Sequence, residues 1–188
     1  MKCKDKRKAL LYATMELVNN HGFHDAPMAK IAKMAGVAPG TIYLYFENKD
    51  DLIHKLYLEV KHVFGQQAFS GYSGDMPVKK GFQLIWKNIA GCTRKEIDFL
   101  KFIAQCENSP MISDKARSIA MKEFQPLLDL WKRGQDEGII KPIPDFLLFA
   151  FTICPLYFMH SVSKGNVSSF SEQNWDEAFQ AAWDSIKI

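Results

Sequence analysis

Residues 28–49 read MAKIAKMAGVAPGTIYLYFENK, and this stretch decides how the rest of the chain is interpreted. Ile31 and Ala32 fall on one face of a predicted helix, and Gly36 can take the positive φ that ends it. Pro39 then suits the first turn of a second helix. Two short helices that meet at a tight turn predict a helix-turn-helix motif.

The second helix of this motif is predicted over residues 39–46. Ile42 and Phe46 lie four apart and turn its apolar side inward, so Leu44 points outward. In a DNA major groove Leu44 can touch a thymine methyl group, and Gly40 permits a close approach. The predicted DNA contacts of this segment are Ala38, Pro39, Gly40, Thr41, Tyr43, Leu44 and Tyr45.

The run IAKMAGVAPGTIYLYFENKDDL resembles the DNA-binding signature of the TetR/AcrR family of transcriptional repressors. In that family a Gly-Val turn leads into a Gly-Thr-Ile-Tyr-x-Tyr-Phe recognition helix and then a Lys-x-x-Leu helix start. The resemblance covers about residues 6–55. The family usually has a phosphate-contacting Thr where this chain has Pro27 and Met28. Pro27 suits the first position of a helix but cannot donate a hydrogen bond, so that contact is not carried over.

Two lysines are also predicted to meet phosphate. Lys49 begins a helix predicted over residues 49–67, with Asn48 as its N-cap, and a helix amino terminus favours anions. Lys6 belongs to a basic cluster ahead of the first helix. The positive charge of this cluster opposes the helix dipole, so helix stability does not explain it. A flexible basic arm that reaches DNA explains the cluster, and a solvated, frayed terminus is an equal alternative.

The charge distribution favours DNA binding by the amino-terminal third. Residues 1–62 contain ten Lys/Arg and seven Asp/Glu, whereas residues 63–188 contain fourteen of each, so the net charge of +3 arises entirely in the first segment. No apolar run follows the basic residues, so we expect no signal peptide and a cytoplasmic protein. The most apolar stretch, residues 146–159, is too short to span a bilayer, and we expect no membrane partner.

Metal, cofactor and catalytic sites are not predicted. His21 and His24 lie three apart, but a capping or surface role is favoured over a metal site. The four cysteines lack a C-x-x-C pair, so they are interpreted as unpaired thiols, with redox sensing at Cys106 or Cys154 as the alternative. Because the chain shows neither a nucleophile–base spacing nor a phosphate-binding glycine loop, we expect no enzyme and no cofactor.

The remaining sequence predicts an all-α fold of about nine helices. Residues 1–48 form the predicted three-helix DNA-binding domain, and residues 49–188 form a helical ligand-binding and dimerisation domain that starts with the connecting helix 49–67. Residues 70–76 are interpreted as a linker, and Pro126 and Pro155 are expected to bend their helices.

Two sets of side chains are assigned to the second domain. Aromatic residues on bent helices are interpreted as a ligand pocket, although a plain core is the commoner explanation of such a pattern. The pocket candidates are Phe82, Trp86, Phe102, Gln105, Phe124, Leu128, Trp131 and Tyr157. The last two helices resemble the dimer interface of TetR-like proteins. The dimerisation candidates are Phe149, Ile153, Trp175, Phe179 and Trp183.

Together these features predict a homodimeric, sequence-specific transcriptional regulator of double-stranded DNA. The resemblance implies a repressor that leaves a near-palindromic operator when a small apolar or aromatic ligand binds. The alternative is a regulator of the same fold without a small-molecule effector, which responds to a protein partner or acts as an activator. A pure interaction module is disfavoured by the uncharged, outward-facing surface beside Lys49.

Overall fold

The structure is a computed structural model that describes residues 3–95, 97–107, 109–163 and 172–188. Within these ranges the chain forms α-helices and two short 3-10 helices, which confirms the predicted all-α class. The α-helices are α1 (Cys3–His21), α2 (Met28–Met34), α3 (Lys49–Ala68), α4 (Val78–Lys95), α5 (Ile97–Glu107), α6 (Asp114–Met121), α7 (Gln125–Asp136), α8 (Asp145–Thr152), α9 (Cys154–Ser163) and α10 (Glu172–Ile186). The 3-10 helices are Pro39–Leu44 and Lys122–Phe124.

The chain folds into two compact units. Unit 1 comprises Met1–Val63 and Ile97–Met121, and unit 2 comprises Phe64–Glu96 and Lys122–Ile188. The boundary within the first half of the chain therefore falls inside α3. The predicted boundary between residues 48 and 49 divides the chain by expected function, and it differs from the boundary between the compact units. This functional division stays a prediction.

Unit 1 has a single apolar core that α1, α2 and α3 share with α5 and α6. Gly22 ends α1 at φ 78°, and Phe23 packs half-buried against the core. The core includes Leu10, Val18, Ile31, Ile42, Phe46, Leu52, Phe102, Ile103, Cys106 and Ala116. The helix-turn-helix therefore shares its hydrophobic core with two helices from the middle of the chain.

Unit 2 contains α4 and α7–α10, and α4 packs against α7, α9 and α10. Pro126 and Pro155 were expected to bend their helices, but at both places one helix ends and another begins. Before Pro126 the chain forms the 3-10 turn Lys122–Phe124, and α7 then starts at Gln125. Near Pro155, α8 ends at Thr152 and α9 starts at Cys154. Proline breaks the helix in both places because it lacks the N–H and its ring crowds the preceding turn.

Two residues of types that often mark helix boundaries do not mark them here. Gly91 lies inside α4, which continues to Lys95, and it is not among the glycines with positive φ. A glycine ends a helix through that backbone conformation rather than by its presence alone. Pro110 is of a type that often begins a helix, but α6 starts at Asp114, where the Ser113 hydroxyl accepts a hydrogen bond of 3.2 Å from the amide of Ala116.

Every helix in the described part of the chain is too short or too polar to cross a membrane.

Candidate DNA-binding surface

The turn between α2 and the 3-10 helix is held by two backbone hydrogen bonds. The amide of Gly36 donates to the carbonyl of Lys33 at 3.1 Å, and the amide of Val37 donates to the carbonyl of Ala32 at 3.0 Å. With Gly36 at φ 67°, these bonds form a Schellman motif, which ends α2 and redirects the chain. Pro27 occupies the N-cap of α2 rather than its first position, and its carbonyl accepts from the amide of Ile31 at 3.0 Å.

The 3-10 helix presents opposite faces to the core and to solvent. Ile42 and Phe46 are 0% and 1% exposed, so they dock the segment on the core as predicted. Leu44 is 81% exposed and Tyr43 is 58% exposed. Large apolar side chains displayed in this way mark a contact surface.

The other predicted contacts of this segment lie around these two side chains. Ala38, Pro39 and Gly40 are exposed, and Thr41 and Tyr45 are half-buried. A Cβ atom at position 40 would meet nothing within 4 Å, and the φ of Gly40 is not positive. The fold itself therefore does not require glycine at position 40.

Lys49 makes a structural contact that the sequence did not reveal. Its ammonium group donates a hydrogen bond to the backbone carbonyl of Phe23, just beyond the end of α1. The predicted N-cap is confirmed, because the Asn48 side-chain oxygen accepts from the amide of Asp51 at 2.9 Å. Lys49 thus ties the start of α3 to the loop after α1.

The basic residues at the amino terminus belong largely to α1. The helix already begins at Cys3, so Lys6 and Lys8 lie on its first turns rather than on a flexible arm; Lys2 lies outside the described residues. Arg7 pairs with Glu59 of α3 at 2.7 Å and lies 5.9 Å from the centre of the Phe46 ring. Lys6 is half-buried, and its predicted DNA contact stays a prediction.

Sequence reasoning overlooked Lys33, which is exposed in the last turn of α2 beside the 3-10 helix. Its position in the helix-turn-helix run was the signal that could have identified it. The two histidines considered as metal ligands, His21 and His24, are both exposed. No group of three or more His, Cys, Asp and Glu side chains suited to a metal ion occurs among the described residues.

The predicted pocket residues are divided between the two units. Phe102 and Gln105 belong to unit 1, where Phe102 is fully buried in the core of the helix-turn-helix. Unit 2 contains the other six, namely Phe82, Trp86, Phe124, Leu128, Trp131 and Tyr157. Within unit 2, the Phe82 ring lies 6.3 Å from the Trp131 ring. The eight residues therefore do not form one cluster within either unit.

Most of the predicted dimerisation residues are buried in the core of unit 2. Trp175, Phe179 and Trp183 are 7%, 3% and 5% exposed, and Phe179 lies 5.6 Å from Trp86 between ring centres. Ile153 is also buried, and Phe149 packs on Trp131 at 4.8 Å. Among the side chains of α8 and α9 whose exposure is described, the large apolar ones on the surface are Phe146, Phe151 and Phe158.

Comparison with known proteins shows which family this arrangement represents. The model for bacterial regulatory proteins of the tetR family matches residues 10–56, and the model for the tetracyclin repressor-like C-terminal domain matches residues 77–187. The chain belongs to the TetR family. The second match extends the family beyond the helix-turn-helix, whereas the sequence motifs had indicated it only to about residue 55.

Relatives of this TetR-family chain align along almost its whole length. An uncharacterised HTH-type transcriptional regulator of Haemophilus influenzae is 25% identical over 184 residues, which is 97% of this chain and 96% of that protein. A TetR-family transcription regulator of Marinobacter aquaeolei is 26% identical with a TM-score of 0.92, covering 98% of this chain and 96% of that one. A putative TetR-family regulator of Vibrio parahaemolyticus is 27% identical, with a TM-score of 0.83 and coverages of 97% and 99%.

The TetR-family chain is therefore a DNA-binding transcriptional regulator, and regulators of this family are not enzymes.

Proposed function

We propose that the protein is a homodimeric repressor that binds a near-palindromic operator and is released from it by a small ligand. The observation that carries the proposal is the exposure of Leu44 and Tyr43 on a segment whose other face is anchored in the core. Two such segments related by a two-fold axis would read half-sites about one helical turn, roughly 34–36 Å, apart.

The proposed base contacts centre on the carboxy-terminal end of the 3-10 helix. Leu44 reads a thymine methyl group, and Thr41 hydrogen-bonds a base or a phosphate. Gly40 supports this docking, since glycine is not needed there by the fold but allows the backbone to approach DNA closely. The proposed phosphate and backbone contacts are Ala38, Pro39, Tyr43, Tyr45, Lys49 and Lys6.

Dimerisation is proposed through α8, α9 and α10, as the family resemblance implies. The exposed side chains Phe146, Phe151 and Phe158 support this, with exposures of 68%, 52% and 68%. Obligate interfaces are apolar, and large apolar side chains are costly to leave in water. Trp175, Phe179 and Trp183 are buried, so they would stabilise the helices of the interface rather than contact the partner subunit.

The proposed effector is a small apolar or aromatic molecule bound in the carboxy-terminal region, residues 49–188. Trp131 supports a ligand that carries a hydrogen-bond acceptor, because its indole nitrogen is buried and has no acceptor in the described part of the chain. The helix-turn-helix of residues 1–48 would release DNA in proportion to the effector's preference for the non-binding state. A regulator of chromosomal DNA would act in the cytoplasm.

A regulator of the same fold without a small-molecule effector is the second candidate. The ring contacts of Trp131 with Phe82 and Phe149 favour it, because the predicted pocket residues Phe82 and Trp131 pack as part of an aromatic core. Two depressions on the described surface are lined by other residues, one around Tyr12 and Glu16 and one around Gln67 and Asn88.

Fluorescence anisotropy tests DNA recognition. The purified protein is titrated with DNA from immediately upstream of its own coding region and with random DNA, at two salt concentrations. Tight, salt-dependent binding that exceeds the random control supports the proposal, and Tyr43→Ala and Lys49→Ala should each weaken it. Unchanged affinity in both variants would refute the assigned contacts.

Sedimentation tests the dimer. Phe151→Glu should shift the protein towards monomer, because it places a charge in the proposed apolar interface. Ile119→Glu is the matched control, since Ile119 is also exposed but lies on α6 in unit 1. A Phe151→Glu variant that remains fully dimeric would place the interface elsewhere.

A further inference from the structure

A charged cluster on the Glu107 carboxylate joins three helices of unit 1. Glu107 is the last residue of α5, and one of its oxygens accepts a hydrogen bond of 3.0 Å from the Tyr57 hydroxyl of α3. The same oxygen pairs with the Lys61 ammonium of α3 at 2.8 Å. The other oxygen pairs with the Arg117 guanidinium of α6 at 2.8 Å.

Arg117 also satisfies the open end of α5. Its guanidinium donates to the backbone carbonyls of Cys106 at 3.2 Å, Glu107 at 3.1 Å and Ser109 at 2.9 Å. The last carbonyls of a helix lack intrahelical partners, so this side chain caps α5 and fixes the angle at which α6 leaves it. The position of α6 is thereby coupled to the carboxylate that holds α3.

The charges of the cluster reinforce one another. Burial alone would raise the pKa of Glu107, but the hydrogen bond and charge of Lys61, the Tyr57 hydroxyl and the charge of Arg117 outweigh it, so the pKa of Glu107 lies below its ordinary value. Lys61 also lies 5.5 Å from the centre of the Tyr57 ring. A carboxylate held by several donors at once specifies one arrangement of the elements that supply them.

These three helices are also the ones that carry the chain between the two units. The chain leaves unit 1 within α3 after Val63, returns at Ile97 at the start of α5, and leaves again after Met121 at the end of α6. A conformational change in unit 2 that is transmitted along the chain therefore reaches the helix-turn-helix through α3, α5 or α6. The Glu107 cluster holds these three helices together. His54 of α3 provides a second tie, at 2.7 Å from the carbonyl of Met111.

We propose that Glu107 is a positioning residue for operator recognition: its carboxylate sets the angle of α3 against α5 and α6, and thereby the separation at which two helix-turn-helix motifs bind their half-sites. This inference depends on the proposed dimeric DNA binding. It assigns to Glu107 no contact with DNA and none with an effector. Its signature is a change in the preferred half-site spacing, in addition to any loss of affinity.

The test compares operators that differ only in spacing. An operator is first selected from random DNA by the wild-type protein, and its two half-sites are then moved apart or together by one and two base pairs. Each base pair changes the separation by about 3.4 Å, which a rigidly positioned dimer should discriminate. Glu107→Gln should reduce the discrimination between the best spacing and its neighbours by about 2- to 30-fold.

A merely structural role would not produce this result, because partial unfolding lowers the active fraction equally for every spacing. Asp98→Asn is the matched control, since Asp98 lies at the other end of α5 and pairs with Lys101 of the same helix at 3.8 Å. It should keep the wild-type discrimination. If Glu107→Gln does not fold, Tyr57→Phe removes one donor to the carboxylate while keeping the buried ring, and should reduce discrimination to a smaller extent.

Wild-type discrimination in both Glu107→Gln and Tyr57→Phe would overturn the inference while leaving the proposed DNA binding intact. A wild-type protein that selects no operator with paired half-sites would instead refute the proposed dimeric repressor, and the inference with it.

Discussion

The indole nitrogen of Trp86 on α4 donates a hydrogen bond of 2.9 Å to the backbone carbonyl of Thr152, the last residue of α8. In a continuous helix that carbonyl would accept from the amide of Leu156, but this amide donates to the carbonyl of Ile153 at 3.1 Å. The helix break before Pro155 thus leaves a buried acceptor, and Trp86 satisfies it.

Trp86→Phe should therefore destabilise the protein more than Trp131→Phe. Both indoles are fully buried, but the Trp131 nitrogen has no acceptor within the described ranges. Loss of the Trp86 donor leaves the Thr152 carbonyl unsatisfied, which costs about 1–3 kcal/mol beyond the lost packing. Urea unfolding of the two variants measures the difference, and equal destabilisation would contradict the role assigned to this hydrogen bond.

Leu44→Ala should separate DNA recognition from stability. Because Leu44 is 81% exposed, its truncation should change the free energy of unfolding by less than about 0.5 kcal/mol. Operator affinity should fall, and preference should relax at the one base pair whose thymine methyl group Leu44 contacts. Ile42→Ala is the contrasting variant, since Ile42 is fully buried and its truncation should cost about 2–5 kcal/mol. Binding that is insensitive to Leu44→Ala would exclude this base contact.

The Glu107 cluster should make stability depend on acid pH. Since the pKa of Glu107 is lowered in the folded state from 4.5, its stabilising contribution is complete above about pH 4.5 and is lost as pH falls through the folded value. The side chain is 40% exposed, so solvent screening limits this contribution to about 1 kcal/mol or less. Unfolding of wild type and Glu107→Gln should differ at pH 7 and converge in acid. A difference that stays constant from pH 7 down through the acid range would rule out the carboxylate as its source.

Cysteine labelling should report on the proposed dimer interface. Cys154 is exposed at the start of α9, near Phe151 and Phe158 in sequence, whereas Cys106 is buried with its pKa raised to about 12 by burial and the charge of Glu107. With Cys3 replaced by Ser, native protein should react with a thiol reagent at Cys154 and not at Cys106. Phe151→Glu should speed the Cys154 reaction if dimerisation covers that face. Identical rates in both proteins would place Cys154 outside the interface.

Local signals in the sequence were enough for the helix-turn-helix. Gly36 ends α2 through a positive φ, Asn48 caps α3, and Ile42 and Phe46 anchor the 3-10 helix. Each of these features depends on residues within about five positions of one another, so the spacing of residue types determined them. The exposed contact surface around Leu44 follows directly, because burial of one helical face leaves the opposite one outward.

Contacts between distant segments were decided only by the tertiary structure. The sequence did not show that Lys49 bonds the carbonyl of Phe23, nor that Phe102 lies in the core of unit 1 whereas Phe82 belongs to unit 2. An apolar helical face has the same pattern whether it packs inside its own unit, as Phe179 does, or faces outward, as Phe151 does. Periodicity determines that a face is apolar, whereas its partner depends on which helices the folded chain brings together.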